Sequence, residues 1–189
     1  MTLLEMLNRV GITEEEAQEV MRQEITAARR PLAALSPEQA DFLARHGGIV
    51  FPGRTRGEEG KAVVLASLAN TTALAATSIS VKEAAERMGV DPSRIHHRIG
   101  DRALYAYKFG PRLRLPLWQF QEDGTALPSL RAVLTASPSE LHPLSVHGFM
   151  THPNSDLEIG DEHVSPVHWL TAGGEVQAVV ALVKDIDVW

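Results

Sequence analysis

The chain contains no cysteine, which excludes disulfide staples and every cysteine-ligated metal site. It also lacks a long apolar run. The most apolar stretch, 62–76, is broken by Asn70, Thr71 and Thr72, and it is shorter than the ~20 residues a membrane-spanning helix needs. The opening MTLLEMLNRV sets Glu5 and Arg9 inside a short apolar pattern, without the basic start and unbroken apolar centre of a secretory signal. The expected setting is therefore cytoplasmic, with no membrane partner. Catalytic signatures are missing as well. There is no HExxH, no GxxxxGK[ST] and no GxGxxG, so neither a zincin-type centre nor a phosphate loop is expected. Ser145 stands near His147 without a nucleophile elbow. The expectation is a non-enzyme with no cofactor and no resident metal.

What the chain does have is charge sorted by position. Its net charge is −6. Residues 79–121 hold eight basic and four acidic side chains, whereas residues 122–189 hold two basic and ten acidic. A positive middle ahead of an acidic end points to separate tasks along the chain.

Punctuation for helices is dense. Thr13 with Glu16, Ser36 with Gln39, Ser80 with Glu83 and Ser137 with Glu140 have capping-box spacing. Pro37, Pro92, Pro138 and Pro166 each follow a cap-type residue, where the missing N–H does no harm. Gly11, Gly47, Gly89, Gly100 and Gly148 fit left-handed stops. These signals predict helices over 2–10, 14–29, 37–46, 58–77, 81–88, 92–99, 129–136, 138–148, 166–172 and 175–186. Strand signals are fewer. Leu104 to Phe109, a Gly110-Pro111 turn and Arg112 to Leu115 predict one hairpin, and Leu157–Ile159 with Glu162–Val164 predict another. The expected fold is mainly α. A helical N-terminal region, 1–78, would serve dimerisation, because its helix 58–77 is apolar almost all round. A DNA-binding domain would span 79–121 and a small helical domain 122–189.

The segment SVKEAAERMGVDPSRIHHRIG carries the most information. Val81, Ala84, Ala85 and Met88 give a first helix one apolar face. Ile95 and Ile99 give a second helix a buried stripe, which leaves Ser93, Arg94, His97 and Arg98 outward. Arginine can bridge guanine O6 and N7 in the major groove, and a serine near a helix N-terminus can hold a phosphate. Lys108, Arg112 and Arg114 flank the Gly110-Pro111 tip, the place for backbone-positioning contacts. A plain helical hairpin with solvated arginines is the simpler alternative for the same pattern.

Residues 80–120 resemble the excisionase/MerR-type winged helix-turn-helix. Glu83-Ala84-Ala85, Met88-Gly89-Val90, Ile95, Leu104, Gly110, Arg114 and Trp118 match that pattern, while His96-His97 departs from it. The resemblance implies operator DNA as a partner. Farther on, Ser165-Pro166-x-x-Trp169-Leu170-x-x-Gly173-Gly174 and a Val/Ala-rich helix resemble the C-terminal toxin-binding domain of Xre/MbcA/ParS-type antitoxins. Those antitoxins carry an Xre-type reader, a further departure. This resemblance implies a cognate toxin as partner, met through Trp169, Leu170, Gly173, Gly174, Val179 and Val183. For Trp169 a core role stands beside the partner role.

Together the two resemblances imply a homodimeric type II antitoxin, VapB-type or similar, that represses its own operon. A PIN-domain ribonuclease and an NAD-degrading RES-domain protein are both open as the toxin. The alternatives are a winged regulator with a small-molecule or metal-sensing C-terminal domain, and a divalent-metal hydrolase using the C-terminal histidines and carboxylates.

Overall fold

The structure is a computed structural model that describes residues 13–15, 18, 19, 22, 69–138 and 141–186. The helices predicted over 2–10 and 37–46 lie outside the described residues, as does most of 14–29 and 58–77. The chain divides into two compact units, Met1–Ala73 and Leu74–Trp189. Residues 79–121 and 122–189, expected as separate domains, thus belong to one unit. It is mainly helical, with a small three-stranded antiparallel sheet and a two-stranded hairpin.

Residues 74–76 of this unit are helical and lead into β1, Ser78–Ser80. Helix α1 follows at Val81–Met88, and the predicted capping box is realised. Ser80 Oγ accepts from Glu83 N at 3.2 Å, and Ser80 N donates to Glu83 Oε2 at 2.7 Å. Gly89 ends the helix at φ 63°, a left-handed conformation that side-chain-bearing residues rarely adopt. Val90 and Asp91 lead into α2, Pro92–Gly100, with Asp91 as cap and Pro92 in the first turn. Strands β2, Tyr107–Phe109, and β3, Arg112–Pro116, form the predicted hairpin. The sheet order is β1-β3-β2, so β3 is central, and Ser80 and Tyr107 both stand opposite Arg114.

One core lies under this part. Ala84, Ala85, Ile95, Leu104, Leu115 and Phe120 are buried together. Full burial of a side chain such as Ile95 or Leu115 is worth ~1.5–3 kcal/mol. The inner stripe of α2 therefore fixes its pose, and its outer face is free to vary in chemistry.

A second core belongs to the remaining helices: α3, Leu130–Ala136; α4, Pro143–Thr151; α5, Pro166–Thr171; and α6, Val176–Lys184. Leu130, Val133, Met150, Leu157, Leu170, Val179 and Val183 are among its buried members. The hairpin of β4, Glu158–Ile159, and β5, Glu162–His163, precedes α5. Tyr105 and Trp118 come from the first part and pack on the second core, with stacked rings 6.3 Å apart.

The chain around the expected boundary between 121 and 122 is tied to α1. Arg87 Nη2 donates to the Gln121 carbonyl at 3.2 Å. Gly124, at φ +82°, sits so close that a Cβ would overlap the Arg87 carbonyl oxygen. No described helix is long and apolar enough to cross a membrane.

Candidate nucleic-acid interface

The outer face of α2 is built from its ends inward. At the start, the Asp91 carboxylate accepts from Ser93 N at 2.8 Å. The Ser93 backbone N–H, together with the Ser93 side chain, holds the Asp91 carboxyl below the usual aspartate range. This alters the expected role of Ser93. Its amide and its hydroxyl are both engaged by an ionised carboxylate that repels phosphate. At the far end, Asp101 N donates to His97 O at 2.8 Å, and Ala103 N donates to Arg98 O at 2.8 Å. The helix is thus closed by backbone bonds at its last turn.

Between these ends Arg94 and His97 are exposed and Arg98 is half-buried. Arg98 Nη1 donates to Met88 Sδ at 3.7 Å, so one edge of its guanidinium rests on α1. Val90, Asp91, Arg94, His97, Arg98 and Asp101 line one open concavity. The three cationic or ionisable residues expected to act together are brought together, with Asp91 and Asp101 at the margins. His96 is also exposed on α2. Its place beside His97 is visible in the sequence, where it stands only as a departure from a family pattern.

The hairpin divides its basic residues. Lys108 stands opposite Leu113, and Phe109 opposite Arg112. Side chains alternate between the two faces of a strand, so Lys108 lies on the side of Leu113 and Leu115. That is the side which packs on α1 and α2 through Leu115. Arg112 is exposed on the opposite side. Arg114 corrects the expectation of a wing contact: it is 5% exposed. On the central strand, with neighbours on both flanks, its side chain lies in the interior; burial pushes the Tyr107 phenol up, and the Arg114 charge opposes that rise only in part while also favouring the ionised form of Glu83.

Three of the six C-terminal residues expected to meet a toxin are interior, Trp169 and Gly174 are half-buried, and Gly173 is exposed. Leu170, Val179 and Val183 are 2%, 0% and 3% exposed. The apolar stripe that made α6 look like a partner surface is the stripe that packs the second core. Gly173 takes φ +82°, and a Cβ on Gly174 would overlap the Trp169 ring. Trp169 Nε1 donates to the Glu175 carbonyl at 3.0 Å. The Trp-Leu-x-x-Gly-Gly pattern is therefore a packing device, a tight turn roofed by a half-buried indole. The exposed part of this module is acidic: Asp156, Glu158, Asp161 and Glu162 surround the β4–β5 turn beside Ile159. Among the described residues no group of three histidines and carboxylates is arranged to hold a metal ion.

No family model matches this chain, and no curated protein matches it. Among solved structures, the NMR structure of Rv2175c aligns with a TM-score of 0.47 and 20% identity, covering 59% of this chain and 81% of that chain. A likeness of that size carries no functional argument.

Proposed function

We propose that the chain is a winged helix-turn-helix DNA-binding protein that acts as a type II antitoxin. In this reading it represses its own operon and neutralises the toxin encoded beside it. The observation that carries the reading is the outer face of α2. Arg94 and His97 are exposed and Arg98 is half-exposed beside them, on a helix whose other side is anchored by Ile95 at 0% exposure. A helix held in this way presents rigid donors to the major groove, where arginine reads guanine. Lys108 and Arg112 are exposed on the following hairpin and supply contacts to phosphates on either side of it.

The antitoxin half rests on charge. A ribonuclease toxin offers a basic surface that ordinarily faces RNA. The exposed carboxylates of Asp156, Glu158, Asp161 and Glu162 complement such a surface, which speeds encounter and disfavours other partners. With Val179 and Val183 interior, the partner meets this acidic rim and not the valine stripe. A homodimer places two α2 helices on half-sites about 34 Å apart. No catalytic step is assigned to the chain.

The test is expression together with the neighbouring reading frame, followed by purification and titration with the duplex upstream of the pair. A stoichiometric complex that retards this duplex is the expected result. A protein that leaves its neighbour's product unbound and ignores the duplex contradicts the reading.

A further inference from the structure

Arg102 follows α2 and bridges to the second core. Its backbone is left-handed, φ 54°, which is strained for any residue other than glycine. Its N–H donates to the Ile99 carbonyl at 3.1 Å, and the next two amides, Ala103 N and Leu104 N, both donate to the Arg98 carbonyl at 2.8 and 3.1 Å. The turn is therefore bonded to the final residues of α2. The side chain runs the other way. Arg102 Nη1 donates to Leu134 O at 3.2 Å and to Thr135 O at 3.4 Å. These are carbonyls of the last turn of α3, which lack partners within their own helix and carry the negative end of its dipole. Leu134 itself is buried in the second core.

We infer that Arg102 is a positioning residue for DNA reading, a latch by which the C-terminal end of α3 sets the orientation of α2. This rests on the proposed DNA-binding role of α2. A non-glycine residue persists in a strained conformation only where its surroundings hold it there, and here the hold is a cation bonded to two helix-terminal carbonyls. The residue contributes nothing to the outer face of α2, which Arg94, His97 and Arg98 occupy. Its effect on a duplex must then pass through where that face points.

The variants are Arg102→Gly, which keeps the backbone turn and removes the latch, and Arg102→Lys, which keeps one cationic donor. Two readouts are taken on the full chain. One is affinity for the duplex upstream of its own reading frame relative to a mixed-sequence duplex of equal length. The other is amide hydrogen exchange across Pro92–Gly100 under native conditions. The latch predicts that Arg102→Gly lowers the specific-to-nonspecific ratio about tenfold, the scale of one misread base pair. Nonspecific affinity should hold, α2 amides should exchange faster, and Arg102→Lys should recover part of the ratio. A folded Arg102→Gly protein with an unchanged ratio and unchanged α2 exchange overturns the latch and leaves the DNA role standing. If the unaltered chain binds neither duplex, the DNA role fails on its own. The exchange data then decide the latch: faster α2 exchange in Arg102→Gly supports the bridge to α3, and identical exchange overturns it.

Discussion

Across the Gly173-Gly174 turn, the Trp169 indole nitrogen donates to the Glu175 carbonyl at 3.0 Å, and the ring covers Gly174. A methyl group at position 174 has to displace the indole. Gly174→Ala is expected to cost about 1–3 kcal/mol, the usual penalty for overpacking, and to shift tryptophan emission to the red. Urea denaturation followed by fluorescence measures both. A variant with the original midpoint and spectrum contradicts the packing role given to Trp169.

Gly124 and Gly89 separate strain from collision. Both have positive φ, but a Cβ on Gly89 meets nothing within 4 Å, whereas one on Gly124 overlaps the Arg87 carbonyl oxygen. Gly89→Ala should cost about 1–2 kcal/mol from backbone strain alone. Gly124→Ala should cost more, because overpacking adds about 1–3 kcal/mol to the same strain. Equal losses in chemical denaturation contradict the close approach of the 121–125 loop to α1.

The cap of α1 makes stability depend on acid. The Ser80 backbone N–H, then the Ser80 hydroxyl, hold the Glu83 carboxyl below the usual glutamate range. A carboxyl depressed in the folded state contributes stability that is fully present above the unfolded value of ~4.3 and is lost as pH falls through the folded value. Glu83→Gln should flatten the stability profile in that acid window, and Ser80→Ala should cost ~1 kcal/mol at neutral pH. A Glu83→Gln variant whose profile is as steep as that of the original chain sinks the assignment.

His147 acts in a different window. Burial pushes its imidazole below the ordinary histidine value, with the nearby His152 adding to the effect. The fold therefore favours the neutral ring. The resulting stability is present above the unfolded value of ~6.5 and declines as pH drops through the folded value. His147→Gln should lessen the loss of α4 stability between neutral and mildly acidic pH, read by amide exchange over Pro143–Thr151. An unaltered pH dependence would count against the burial.

The two ends of α1 and the start of α2 were legible because each is set by short-range chemistry, whereas Gly100, expected as a left-handed stop, lies within α2, whose cap is Asp101. Ser80 with Glu83, Gly89, and Asp91 with Pro92 all act within a few residues and do what their spacing predicts. Helix α4 was misplaced. The Ser137 signal predicts a helix from 138, whereas the helix starts at Pro143, with His142 as its cap at ψ 140°. The residue before a proline is pushed out of the helical region, and that rule outweighs an upstream cap signal. Gly148 does not stop the helix, which continues to Thr151.

Strand β1 was missed because its partner, β3, is distant in sequence and three residues leave no periodic trace. Tyr105 was expected on a strand with Tyr107. Instead Gln119 takes the neighbouring strand's place, accepting from Tyr105 N at 2.7 Å and donating to Tyr105 O at 2.8 Å. A side chain standing in for a backbone ladder has no sequence signature. The candidate site was legible on α2, where the apolar spacing dictates the outward face. It was misread at Arg114 and at Val179 and Val183, since nothing local distinguishes a charged or apolar residue facing the interior from one facing a partner.

Whether α2 reads a duplex is decided by a salt-dependent titration of the Arg94→Ala/Arg98→Ala double variant. The proposed docking sets four cationic side chains, Arg94, Arg98, Lys108 and Arg112, against the duplex. Log affinity of the unaltered protein should then fall with log salt at a slope of about −3.6 per protomer if all four neutralise phosphates, and less steeply where arginines contact bases. The double variant, its fold intact by circular dichroism, should lose its preference for the upstream duplex and show a shallower slope. An intact double variant that binds this duplex with the original affinity and the original slope contradicts DNA reading by α2.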